Sequence, residues 1–205
     1  MAYEGTGYNP DVYGPCYFRR ISGTTRECSL IAGRDIANRY HPKSLVDFGC
    51  GCGFYLEAAL ECGVPLIKGF DIASKTQATR LISPSVMPFI ERADVMTPID
   101  CGKFDCAMSI EVGEHLLKSG SEQLVINICN AAERLIFFTA APPTQNKGVG
   151  HINCQPHEWW IGMFKNHGWG LLEDESKKTQ DIWRQIGVPW YLINNIKIFA
   201  PMDLV

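Results

Sequence analysis

The chain lacks the features that would send it to a membrane, a nucleic acid or a secretory route. Its 205 residues carry a formal net charge of −3, so no overall positive field gathers nucleic acid or anionic lipid. The opening residues, Met1 to Gly7, hold neither a basic stretch nor an apolar run, so no secretory signal is expected there. No apolar run approaches the ~20 residues that span a bilayer. Internal repeats, low-complexity tracts and composition breaks are missing too, so a single domain over 1–205 is expected, long enough for a full hydrophobic core. There is no Gly-Lys-Ser/Thr, which excludes a phosphate-binding P-loop. There is no Asp/Asn-Pro-Pro-aromatic run, and no appended nucleic-acid-binding module is visible.

Cysteine, by contrast, is abundant. The nine cysteines are odd in number and irregularly spaced. Several fall inside predicted elements (Cys50, Cys62, Cys106, Cys129), which reads as reduced thiols in a cytoplasmic protein. His151-x-x-Cys154-x-x-His157 and Cys50-x-Cys52 offer metal-ligand types. Structural zinc usually takes four ligands from paired knuckles and no second knuckle is present, so no metal is expected.

The most informative stretch runs from Ser44 to Leu56. A short apolar strand enters three glycines at alternate positions, Gly49, Gly51 and Gly53, and an apolar-periodic helix follows from Phe54. Glycines there allow positive φ and close approach of a ligand. The helix N-terminus behind them supplies N–H groups and partial positive charge. The dinucleotide fingerprint needs a third glycine where Phe54 stands, which disfavours a nicotinamide or flavin. Asp47, just ahead of the turn, suits a ligand carrying an ammonium group better than a pyrophosphate.

Strands are predicted over 44–48, 64–70, 87–93, 104–110, 135–139, 169–172 and 195–200. Helices are predicted over 24–40, 54–62, 74–82, from Ser119 onward, from Pro156 to Gly168, and over 176–186. Two of these starts rest on capping boxes, Thr24-x-x-Glu27 and Ser119-x-x-Glu122. Residues 1–22, rich in Tyr, Gly and Pro, read as an irregular arm and a lid over the site, with Tyr13, Tyr17 or Phe18 near the ligand. Strands alternating with helices imply an α/β fold: a doubly wound, mostly parallel seven-stranded sheet with helices on both faces.

In such a sheet, ligands lie beyond the carboxyl ends of the strands. Asp47, Asp71, Asp94 and Glu111 sit at four of those ends, with no lysine or arginine among them. Asp71 follows the glycine turn by ~20 residues, the spacing at which an acid reaches ribose hydroxyls. The long segment from Ala140 to Gln155 exceeds ordinary connections, which points to function or disorder.

Val46-Asp-Phe-Gly-Cys-Gly-Cys-Gly53 closely resembles motif I of the class I S-adenosylmethionine-dependent methyltransferases. Phe104 to His115 resembles motif IV of that superfamily. Gly148 to Trp160 resembles the Gly-His-x-Asn-x-Gln segment that borders the acceptor pocket in many small members. The resemblance covers residues ~40–140 and departs at Cys52, where Thr or Ser is commoner. It implies that S-adenosylmethionine is held by Asp47, Gly49, Cys50, Gly51, Gly53, Asp71, Ile72, Asp94, Val95 and Glu111, to which the aromatic arm adds Tyr17. It further implies His151 and His115 as catalytic, His151 first as base, with Glu114, Asn153, Gln155 and Trp159 facing the acceptor.

The expected activity is methyl transfer to a small-molecule acceptor, without membrane or nucleic acid. The alternatives are a catalytically silent module binding S-adenosylmethionine or a nucleoside, and a methyltransferase with a protein or tRNA acceptor. Neither the acceptor atom nor the oligomeric state is readable.

Overall fold

In the computed structural model, which describes residues 15–72 and 81–204, apolar alternation along the strands sorts the core into two layers. On one side of the sheet Leu45, Cys106, Met108, Phe137 and Ile198 meet the helices. On the other side Val46, Phe48, Ile136, Phe138 and Phe199 do so. Successive strand residues point to opposite faces, so a strand buried on both sides reads as an unbroken apolar run.

The strands are β1 (Leu45–Phe48), β2 (Ile67–Phe70), β3 (Ile90–Glu91), β4 (Phe104–Ile110), β5 (Ala132–Thr139), β6 (Trp169–Leu171) and β7 (Lys197–Pro201). They form one sheet in the order β3-β2-β1-β4-β5-β7-β6. The first five pair in parallel, whereas β7 runs antiparallel to both β5 and β6. The helices are α1 (Pro15–Tyr40), α2 (Phe54–Glu61), α3 (Ser121–Ala131), α4 (His157–Asn166), α5 (Glu173–Gln185) and α6 (Trp190–Asn195). Residues of α1, α2, α5 and α6 cover one face, and residues of α3 and α4 cover the other. The doubly wound, mostly parallel seven-stranded sheet expected from the sequence is therefore present. Among the described residues no helix is long and apolar enough to cross a membrane.

Several local expectations need correction. The first helix starts at Pro15, so Thr24 and Glu27 lie inside it and form no capping box, and residues 15–22 are not irregular. Helix α3 begins at Ser121 with Gly120 at the N-cap and no side-chain cap bond, so Ser119 and Glu122 do not cap it either. The third strand shrinks to two residues because Met87–Phe89 form a 3-10 turn around Pro88, which has no N–H to give a ladder. The six-residue α6 was not expected at all. The arm up to residue 14, with Tyr13, and most of the helix predicted over 74–82 lie outside the described residues, as do the side chains of Tyr17 and Phe18.

Candidate functional site

The end of β1 sets the geometry. Gly49 and Gly53 take left-handed φ of 84° and 73°. A Cβ on Gly49 would strike Val112, and one on Gly53 would strike Ile90. Only glycine lets the turn lie this close to the end of β4 and to β3. Gly51 donates its N–H to Asp71 Oδ2 at 2.9 Å, which joins the glycine turn to the end of β2.

A cleft of about 280 Å³ opens over these strand ends. Asp47, Gly49, Cys50, Gly51, Asp71 and Ile72 line one part of it, and Asp94 and Val95 the next. Glu111, Glu114, His115 and His151 line the rest. The sequence-derived residues thus gather at one place, apart from four within the described side chains. Gly53 stands behind the lining as the N-cap of α2. Asn153 is buried, its amide donating to Gly113 O and Ser121 Oγ. Gln155 donates to Asn153 Oδ1. Trp159 packs edge-on against buried Trp160 and under the Lys118 ammonium. The last three brace the loop rather than line the cleft. Conversely, Thr25 and Ser29 from α1 and Tyr191 and Leu192 from α6 do line it, although no motif or spacing in the sequence marks them.

The cleft is strongly acidic. Five carboxylates line it (Asp47, Asp71, Asp94, Glu111, Glu114), and no lysine or arginine does so among the described residues. Asp47 is 2% exposed. Burial, then the nearby charge of Asp71, pushes its carboxyl up to about 8. Burial and Asp71 together push the Cys52 thiol up to about 12, so it is not a nucleophile at neutral pH. Asp94 accepts a hydrogen bond from Met96 N at 2.9 Å, which shapes the loop after β3.

At the end of β4 the backbone is strained. Glu111, a non-glycine residue, has φ of 55°, a conformation found mostly where the surroundings over-determine it. Thr139 at the end of β5 holds it, accepting the Glu111 N–H on both its carbonyl (3.2 Å) and its hydroxyl (2.8 Å). Asn195 of α6 donates to Glu111 Oε1 at 3.1 Å. Beyond it, Gly113–His115 form a 3-10 turn that buries Glu114. Burial raises the pKa of Glu111 and raises that of Glu114 well above the usual range, the latter helped by the Glu111 charge. Both shifts favour the uncharged carboxyl, most strongly at Glu114. Burial pushes His115 down to about 4, so it stays neutral.

The metal-ligand types in His151-x-x-Cys154-x-x-His157 do not come together as a set of three. Cys154 Sγ lies 3.6 Å from His151 Nδ1. His157, however, stands near Ala140, Asn195 and Lys197. Among the described residues the donor atoms that do converge belong to Glu114, His115 and His151, all within 4.8 Å of one another.

No protein-family model matches the sequence, and no curated protein matches it either. Likeness is found in solved structures. The sugar N-methyltransferase KedS8 of a Streptoalloteichus species superposes with a TM-score of 0.65 at 14% identity, over 98% of this chain and 96% of that one. The Haloferax volcanii protein in complex with the Trm112 methyltransferase activator gives 0.65 at 14% identity, over 93% and 96%. Magnesium protoporphyrin IX methyltransferase of Synechocystis, with bound SAH, gives 0.59 at 16% identity, over 75% and 83%. The strand order, the glycine turn after β1 and these superpositions establish that the chain has the class I S-adenosylmethionine-dependent methyltransferase fold.

Proposed function

We propose that the protein is an S-adenosylmethionine-dependent methyltransferase acting on a small-molecule acceptor. One observation carries this reading: a cleft over left-handed glycines that is lined by five carboxylates and, among the described residues, by no lysine or arginine. Phosphate-bearing ligands meet repulsion there. A ligand with an ammonium, a sulfonium, ribose hydroxyls and an adenine amine finds acceptors for each.

In this reading Asp47 faces the ammonium and Asp71 the ribose hydroxyls. Asp94, beside Val95, accepts from the adenine amine. The buried Asp47 ionises when the ammonium arrives, because an opposite charge favours the carboxylate. S-adenosylmethionine supplies an electrophilic methyl group, so most of the remaining work is positioning of the acceptor. The acceptor end belongs to Glu111, Glu114, His115 and His151. Of its two rings, neutral His115 is a poor base at about 4, which leaves His151 to take a proton from the acceptor. Free, largely buried thiols (Cys28, Cys50, Cys52, Cys106, Cys129) suit a reducing compartment such as the cytoplasm.

Calorimetry with S-adenosylhomocysteine, S-adenosylmethionine and NAD tests the cofactor. The first two should bind and NAD should not. A silent outcome with all three, or binding of NAD alone, overturns the reading. A screen of hydroxyl- and amine-bearing metabolites then tests the acceptor.

A further inference from the structure

Glu114, at the acceptor end of the cleft, carries a fully buried carboxylate. The backbone N–H groups of Glu114 and Ala141 and the Glu111 carboxylate lie close to it, yet neither Oε1 nor Oε2 completes a hydrogen bond. An orphaned buried carboxylate is costly and calls for an explanation. It also opens onto two imidazoles. The His115 and His151 rings meet edge to face with centroids 4.9 Å apart.

Both rings are oriented in the same way. His115 Nδ1 donates to Gly150 O at 3.1 Å, and His151 Nδ1 donates to Gln145 O at 2.9 Å. A carbonyl only accepts, so each neutral ring carries its proton on Nδ1 and its lone pair on Nε2. Metal-ligating histidines are almost always fixed in this manner. The two segments are laced together as well. Ile152 N and Asn153 N both donate to Glu114 O at 2.9 Å, and the Asn153 amide donates to Gly113 O at 3.1 Å. The relative placement of Glu114 and His151 is thus set before any ligand arrives.

We propose that Glu114, His115 and His151 form a binding site for a divalent transition-metal cation at the acceptor end of the cleft. Ligands about 2.1 Å from one ion sit about 3–4 Å apart, so donor atoms within 4.8 Å of one another close around an ion by side-chain adjustment alone. Two imidazoles with a carboxylate favour zinc, iron, cobalt or manganese over magnesium or calcium. Three protein ligands leave coordination positions open, the mark of a site that takes substrate. The reading deepens the proposed function and rests on it for the acceptor only. It gives the acceptor an oxygen donor, such as a hydroxyl, which binds the ion. Its O–H bond breaks heterolytically and the proton passes to water, so that the oxygen meets the methyl group as an alkoxide. His151 then acts as a ligand in place of a base.

The test uses the full, tag-free chain, stripped with chelator and titrated by calorimetry with Zn²⁺ or Mn²⁺ alone. Binding of S-adenosylhomocysteine is measured separately in the presence of chelator. One equivalent of ion is expected to bind. Its Kd should rise at least about 100-fold in Glu114→Gln and in His151→Ala, beyond the loss typical of an outer-shell partner. Circular dichroism checks that both variants fold, and Co²⁺ absorption in the visible reports ligand geometry. No saturable binding overturns the site, and so does binding that both variants retain; Glu114 is then kept by a proton shared with Glu111. Because the ion is titrated without cofactor, this failure is distinct from a failure to bind S-adenosylhomocysteine.

Discussion

Asp47 offers a pH test whose size follows from its burial. In the ligand-free protein its carboxyl titrates near 8, raised first by desolvation and then by Asp71. At pH 7 it therefore holds about 0.9 of a proton, which an ammonium ligand displaces. Affinity for S-adenosylhomocysteine should rise about tenfold per pH unit below 8, or about 50-fold between pH 6 and pH 8, and then level off. Calorimetry at pH 7 in buffers of different ionisation heat should detect the released proton. The same shift opposes folding of the empty protein. A carboxyl whose folded pKa lies above its unfolded value of 3.8 loses stability as pH climbs from about 4 to about 8, at about 1.4 kcal/mol per unit. Asp47→Asn should remove both slopes, making the empty protein more stable at pH 8 and the complex weaker. An affinity that is flat with pH in the parent protein, or a slope that survives in Asp47→Asn, refutes the assignment of Asp47 to the ammonium.

Asp71→Ala should weaken S-adenosylhomocysteine binding by about 1.5–3 kcal/mol through loss of charge-assisted bonds; unchanged affinity in a folded variant would reduce Asp71 to a tie for Gly51 N–H. Gly49→Ala should cost about 1–3 kcal/mol in a thermal melt, because the new methyl meets Val112 Cγ1 at 2.8 Å; an unchanged Tm would mean that Val112 yields freely. His151→Ala should slow methyl transfer by about 10²–10⁴ while leaving S-adenosylhomocysteine affinity in place; a fall in that affinity would put His151 on the cofactor side.

Residues that announce themselves by local pattern were legible. The run Phe104–Ile110 is apolar enough to give β4 its full extent, and the glycines after Phe48 fix the turn. Asp47, Asp71, Asp94 and Glu111 were legible because each stands at or shortly past the carboxyl end of a strand. Patterns that recur by chance misled: Thr24 and Glu27 have capping-box spacing but stand within a helix of 26 residues. Parts set by tertiary folding were invisible. Helix α6 has only six residues behind Pro189, too few for a periodicity. Tyr191 and Ser29 reach the cleft from helices that fold across the strand ends. The meeting of Glu114 with His115 and His151 needs the backbone bonds between the 3-10 turn and the 150–153 loop, which no linear spacing reveals.

The antiparallel placement of β7 bears on the order in which this sheet is completed during synthesis. Its pairs with β5 cover Ile136, Phe137 and Phe138. Until residues 197–201 leave the ribosome, β5 is a bare, apolar strand edge, the kind of surface that recruits other chains. A nascent chain that has emerged through Thr139 already displays every glycine and acid of the cofactor end. It still lacks Asn195, which anchors Glu111, and Tyr191, which borders the cleft. The helix that completes this side of the cleft and the strand that covers β5 thus emerge one directly after the other.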